Sequence, residues 1–69
     1  MWPDGVVLSL KPDPVYPSAT LVDVRLDSGR LMDSVTWKSK RIPLVGERVH
    51  IRELSGHISV LYVAYPVLP

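Results

Sequence analysis

The order of apolar and polar residues along the chain predicts short β-strands throughout. Apolar residues alternate with polar ones in five segments, and the 3.6-residue spacing of an amphipathic helix is missing. In the second segment every other residue is aliphatic and charged residues stand between them, as in a strand with one buried and one solvated face. The predicted inward-facing residues there are Val22, Val24 and Leu26. The predicted strands span residues 5–10, 19–26, 31–37, 48–53 and 57–65.

Two of these strands have a less regular pattern. In the first, Val6, Leu8 and Leu10 fall on one side of the pleat and are expected to lie together. In the third, Leu31, Val35 and Trp37 fall on one face together with Asp33, while Met32 falls on the opposite face. The alternation therefore leaves the buried face of the third strand undecided.

Glycines and prolines separate the predicted strands. The tripeptide at 27–29 ends in Gly29, which can adopt positive φ, so it predicts a tight turn between the second and third strands. Three prolines at 11–18 deny backbone donors to a ladder and predict an extended loop. Pro43 and Gly46 bracket a chain reversal before the fourth strand, and residues 54–56, which end in Gly56, form the turn before the fifth.

Five short strands in 69 residues favour closure into a small antiparallel barrel, either OB-like or SH3-like. An open sheet of this size would expose one face and two edges. The sequence predicts one all-β domain over 1–69, with a proline-rich loop at 11–18 and extended termini at 1–4 and 66–69. Strand order is invisible to local pattern, so the sequence leaves the choice between the two topologies open.

Composition narrows the classes of function. The chain has no cysteine, and so neither disulfides nor thiolate metal sites. Its formal charge of +1 is nearly balanced, whereas strongly basic nucleic-acid modules carry a larger excess. No apolar run is long enough to cross a bilayer, and residues 1–5 lack the features of a secretory signal. We therefore expect no membrane association and a cytoplasmic location.

Residues suited to catalysis are sparse. The glycines are scattered singly, so no phosphate-binding loop exists, and no serine stands in a nucleophile-elbow motif. His50 and His57 flank a predicted turn and could hold a metal with Glu53 or Asp33, but exposed histidines beside a turn are the simpler interpretation. The sequence therefore predicts no enzyme, no cofactor, no metal and no small-molecule substrate.

The fifth predicted strand is apolar on both faces, which points to a binding surface. Ile58, Val60, Tyr62 and Ala64 occupy one face, and most residues of the other face are apolar as well. Either the strand changes face at a bulge inside the barrel, or the second face docks on another chain. The predicted protein interface comprises Leu61, Val63, Tyr65, Val67 and Leu68. Its partner would be another protein or a second copy of the chain.

A basic segment at 37–41 supports an alternative in which the barrel binds nucleic acid. An aromatic ring could stack on a base while neighbouring cations meet phosphates. The residues assigned to this alternative are Trp37, Lys38, Lys40, Arg41, Arg48 and Arg52. Against it, Trp37 has the same phase as Val35, which favours a place in the core.

Four stretches of the chain, taken in order, resemble a known class of barrel. They are the stretch from Val22 to Gly29 (VDVRLDSG), then Val35 to Trp37 (VTW), Pro43 to Val49 (PLVGERV) and Gly56 to Leu61 (GHISVL). This set is similar to the small OB-fold barrels of contractile- and long-tailed phage spike, baseplate and neck proteins. The resemblance implies a structural protein of a virion. Because the chain lacks the long loops and repetitive β-helix of spikes, a neck, tail or capsid-accessory subunit fits its length better.

Overall fold

A computed structural model describes residues 3–56 and 60–67 and confirms the small all-β barrel. Its five strands are β1 (Asp4–Pro12), β2 (Thr20–Leu26), β3 (Leu31–Trp37), β4 (Arg48–Ser55) and β5 (Val60–Pro66). The predicted turn at 27–29 is present, and Gly29 adopts the positive φ expected of it, at 93°. The proline-rich segment forms the loop between β1 and β2, although its first two residues still belong to β1.

The strands close in the order β1-β2-β3-β5-β4, and β4 pairs back onto β1. Four of the five ladders are antiparallel, but β3 and β5 run parallel, which differs from the predicted all-antiparallel barrel. The difference arises at residues 38–47, the loop after β3. This loop carries the chain past the position beside β3, so that β4 pairs with β1 instead. β5 then fills the gap beside β3. That parallel ladder has only two residue pairs, Thr36 with Val63 and Trp37 with Ala64.

The core consists mainly of β-branched side chains from all five strands. Val22, Val24 and Leu26 of β2 are buried as the alternation predicts. Full burial of a side chain of this size stabilises the fold by roughly 1.5–3 kcal/mol. The other members of the core cluster are Val7, Val35, Trp37, Val49, Ile51 and Ala64, with Met32 and Tyr62 packed against it.

Gly5 allows the barrel to close tightly between β2 and β4. It pairs with Leu26 on one side and with Val49 on the other. A Cβ at this position would lie 2.6 Å from Val24 Cγ1 and 2.7 Å from the Arg25 carbonyl oxygen. The strands can approach this closely only because residue 5 has no side chain.

The expected grouping of Val6, Leu8 and Leu10 is wrong. Val7 is the residue buried in the core, and the pairing of β1 with β2 slips by one residue between Val7 and Ser9. Such a β-bulge reverses which side chains face inward along the strand. One continuous alternation therefore cannot describe β1.

A second bulge explains the irregular pattern of β3. The pairing of β2 with β3 slips between Val22 and Val24, and Ser34 adopts a positive φ of 58° there. On one side of the slip Met32 packs against the core, and on the other side Val35 and Trp37 are buried. Leu31, which the alternation groups with Val35, is exposed.

β5 is buried on both faces where Val63 and Ala64 follow each other. Both side chains are fully buried, and the β4–β5 ladder runs without a register shift. Ala64 belongs to the core cluster, so Val63 points to the other face of the sheet, where its neighbours across the ladders are Thr36 and Arg52. Over Val60–Pro66, the part of this strand that the structure describes, the alternative in which the strand changes face at a bulge is therefore wrong.

Candidate interaction site

Among the described residues, the groove between β3 and β5 and the loop between β3 and β4 expose apolar surface. The groove forms because the end of β3 pairs with the middle of β5, at Thr36 with Val63 and Trp37 with Ala64, and the preceding residues of the two strands are not paired with each other. Its volume is about 350 Å³. Its lining residues are Leu31, Met32, Val35, Val60, Leu61 and Tyr62, with Arg30, Asp33 and Ser34 beside them.

The loop at 38–47 exposes three aliphatic side chains next to one another. Ile42, Leu44 and Val45 are 71%, 67% and 65% exposed, whereas Pro43 between them is fully buried. Exposed aliphatic residues that cluster in this way commonly mark a contact surface. We refer to residues 42–45 as the aliphatic loop.

Backbone hydrogen bonds hold the aliphatic loop in one shape. The Glu47 amide donates to the Leu44 carbonyl at 3.1 Å, and Gly46 between them has φ of 90°, as a tight turn requires. The Glu47 carboxylate accepts a hydrogen bond from the Leu44 amide at 2.7 Å. The Gly46 amide donates to the Val7 carbonyl at 2.8 Å, and this bond ties the turn to β1.

Arg41 connects the loop to the core. Its guanidinium donates two hydrogen bonds to Glu47, at 2.8 and 2.6 Å, and lies 5.4 Å from the centre of the Trp37 ring. The Trp37 indole N–H donates to the Arg41 carbonyl oxygen at 2.6 Å. The Arg41 guanidinium lowers the pKa of Glu47, so that carboxylate stays charged and keeps the turn in place.

The structure buries one of the residues assigned to nucleic-acid binding and pairs two others with carboxylates. Trp37 is only 7% exposed and its N–H is bonded, so the prediction that its ring stacks on a base is wrong. Arg41 binds Glu47, and Arg48 binds Asp27 through two hydrogen bonds of 2.7 and 2.8 Å. The remaining members, Lys38, Lys40 and Arg52, are exposed.

The predicted protein interface is not one patch either. Val63 is fully buried, so its assignment to an exposed surface is wrong. Leu61 is half exposed and lines the groove at the start of β5, whereas Val67 is exposed beyond the other end of that strand. Tyr65 is half-buried opposite His50. Leu68 lies outside the described residues.

A carboxylate network on the outer face of the sheet has a structural role. Asp23 lies opposite both bulges: it accepts a hydrogen bond from the Ser9 hydroxyl at 2.6 Å and one from the Ser34 amide at 3.0 Å. Lys11 Nζ lies 3.5 Å from Asp23 and 3.0 Å from Asp33. The Ser9 hydroxyl, followed by the Ser34 amide, holds the pKa of Asp23 well below its usual range. Each charged side chain of this network therefore has a hydrogen-bond or ion-pair partner within the network.

The structure describes one of the two histidines that were considered as a metal-binding pair. His50 Nδ1 lies 2.5 Å from an Asp4 carboxylate oxygen, and His57 falls outside the described residues. Residues 3–56 and 60–67 contain no group of three or more side chains arranged to hold a metal. No helix long and apolar enough to cross a membrane occurs among them.

From the sequence, the aliphatic loop is predicted only as part of a chain reversal between the third and fourth strands. The available signal was the run Ile42-Pro43-Leu44-Val45, in which aliphatic residues stand at adjacent positions of a turn and cannot all face inward. No short stretch of the sequence predicts the groove, because the groove depends on which strand lies beside β3.

In comparisons with known proteins, no family model, no curated protein and no solved structure matches the chain. Any assignment of function therefore depends on the surfaces described above.

Proposed function

We propose that the chain is a non-enzymatic structural or assembly protein that acts through protein–protein contacts on the outside of an OB-like barrel. The setting that its sequence resemblance implies is a phage virion, with the chain as a neck, tail or capsid-accessory component. The main support for this proposal is the exposure of the three aliphatic side chains of the aliphatic loop.

The strand order favours the OB-like alternative over the SH3-like one. OB barrels are five-stranded Greek-key barrels, in which the chain does not simply wind from one strand to its neighbour. Here β4 passes to the far side of the barrel and β5 returns in parallel beside β3. We infer an OB-like barrel in which the loop at 38–47 connects β3 to β4.

The aliphatic loop favours a protein partner because its exposure has a cost that a contact would remove. Ile42, Leu44 and Val45 each expose about two thirds of their surface, although the loop that holds them is rigid and tied to β1. A rigid loop loses little conformational freedom on binding, so more of the burial energy appears as affinity.

The nucleic-acid alternative has less support. Trp37 is buried, and Arg41 and Arg48 are both engaged with carboxylates. Lys38, Lys40 and Arg52 remain as exposed cations, and three charges give only a weak phosphate-binding surface.

Native mass spectrometry at two protein concentrations, with and without a single-stranded oligonucleotide at low salt, separates these functions. The proposal expects species larger than the 7.7 kDa chain that increase with concentration, and no complex with the oligonucleotide. A monomer at both concentrations that binds the oligonucleotide would replace the proposal with the nucleic-acid function. Flanking portal, tail or capsid genes would support the virion setting.

A further inference from the structure

We propose that the barrels associate head to tail, with the aliphatic loop of one copy inserted into the β3–β5 groove of a second copy. This inference rests on the proposed assembly function and names its partner and its two contacting surfaces.

The loop and the groove lie at opposite ends of the same strands. Leu31 at the start of β3 and Val60 at the start of β5 line the groove. The loop follows Trp37, the last residue of β3. Seven residues of β-strand span about 20 Å, and the molecule measures 27 × 25 × 21 Å. One copy therefore cannot insert its loop into its own groove. When a second copy is stacked on the first, the loop of one copy can reach the groove of the other.

The two surfaces match in chemistry. The groove is lined by apolar side chains from both strands beside three polar residues, and its volume of about 350 Å³ can accept side chains from a loop tip. The loop offers three aliphatic side chains from four successive residues. Outside the two β3–β5 residue pairs, the facing edges of these strands carry backbone groups that can bond to an inserted chain.

One acidic side chain near the groove can attract the lysines beside the aliphatic loop. Lys38 and Lys40 are exposed beside the aliphatic loop. At the groove, Asp33 is among the lining residues and Glu53 is the β4 neighbour of Tyr62. Lys11 already binds Asp33, and Arg30 also lines the groove, so Glu53 is the main acidic counterpart. Attraction between Glu53 and the two lysines would orient the second copy loop-first.

The area of the contact indicates how strongly two copies should associate. A stable interface covers about 800 Å² on each partner, whereas the whole chain exposes 4996 Å². A loop of four residues covers less than a standard interface, so a single contact is weak and depends on concentration. Because the two surfaces differ, the contact is heterologous and repeats into a ring or a filament.

Complementation between two variants tests this directly. Leu44→Glu damages only the loop, and Leu61→Glu damages only the groove. Each variant alone should lose association by about 30-fold or more, as expected for a residue central to an interface. An equimolar mixture should form a dimer and nothing larger, because one intact loop then meets one intact groove. Sedimentation velocity measures these masses, and Val15→Glu, a charge added at an exposed valine on another loop, should behave as wild type.

A charge exchange tests the orientation. Lys38→Glu together with Lys40→Glu should weaken association by about two- to five-fold for each charge. Adding Glu53→Lys to the same chain should restore part of the loss. Circular dichroism checks that every variant is folded, and where a glutamate unfolds the chain, Val45→Ser and Val60→Ser replace the loop and groove variants.

Three results would overturn the inference. They are a wild-type chain that stays monomeric at every concentration, loop and groove variants that associate as wild type does, and a mixture that stays monomeric. In the second and third cases, if the wild-type chain still assembles, the proposed function stands and the contact surface is a different one. In the first case, binding of the oligonucleotide would overturn the proposed function as well.

Discussion

Asp23 shows how one side chain can fix two irregular places in a barrel. The bulge in β1 places the Ser9 hydroxyl against its carboxylate, and the bulge in β3 places the Ser34 amide there. Ser34 is held at positive φ, a conformation that non-glycine residues rarely adopt. The carboxylate compensates for this backbone conformation, and its side chain is only 29% exposed.

Asp23→Asn should therefore destabilise the barrel. An amide keeps the shape but has one acceptor oxygen where the carboxylate has two, so one of the two hydrogen bonds is lost and the other loses its charge assistance. We expect a loss of about 1–2 kcal/mol in the free energy of unfolding measured with urea. Asp33→Asn is the matched control, because Asp33 is 80% exposed and its ion pair with Lys11 lies at the surface; it should change stability far less. Equal losses in both variants would contradict this role.

The pattern of the sequence could not reveal Asp23, because an aspartate between two valines looks like any solvated residue of a half-buried strand. Its partners lie 14 and 11 positions away along the chain, and they meet only because both ladders slip opposite it. Trp37 is the reverse case. Its phase relative to Val35 favoured the core, and the structure places it there.

At the scale of elements, the sequence predicts where strands lie better than which face is buried. The observed β3 has the predicted bounds, and β2 begins one residue later than predicted. Alternation fails at the two bulges, since an extra residue shifts every later side chain to the other face. It also fails in β5, where burial on both faces depends on neighbouring strands rather than on the strand itself.

The burial of Val63 makes a sharp prediction about β5. Val63→Asp would place a carboxylate at a fully buried position, so we expect a loss of more than about 3 kcal/mol and an unfolded or molten chain. Val60→Asp is the matched control on the same strand, since Val60 is half exposed, and its change should stay within about 0.5 kcal/mol. Thermal unfolding followed by circular dichroism compares the two. A folded Val63→Asp variant with wild-type stability would show that this face of β5 is accessible.

At the scale of the whole molecule, the closure of the barrel could not be predicted from local pattern. It depends on the parallel pairing of β3 with β5 over two residue pairs, and on the passage of β1 between β2 and β4 at Gly5. Both are contacts between distant parts of the chain. The groove follows from this closure and has no signal in the sequence, whereas the aliphatic loop has one in the adjacent aliphatic residues at 42–45.

Two ion pairs fix loops of the barrel. Arg48 at the start of β4 binds Asp27 in the β2–β3 turn, and Arg41 binds Glu47 across the β3–β4 loop. Arg48 lowers the pKa of Asp27, and Arg41 lowers the pKa of Glu47. A carboxylate whose pKa is lower in the folded state than in the unfolded state stabilises the fold when it is charged.

The stability of the whole barrel should therefore fall in acid. For Asp23, Asp27 and Glu47 the contribution is complete above their ordinary pKa values, 3.8 for aspartate and 4.5 for glutamate, and is lost as the pH falls below them. Urea unfolding at pH 7, 6, 5, 4 and 3 should show nearly constant stability down to pH 5 and a decline from there. Asp23→Asn should flatten part of the decline, and 0.5 M salt should weaken the share that comes from the exposed Arg48–Asp27 pair. A decline that is already complete by pH 5 would mean that groups other than these carboxylates control the stability of the fold in acid.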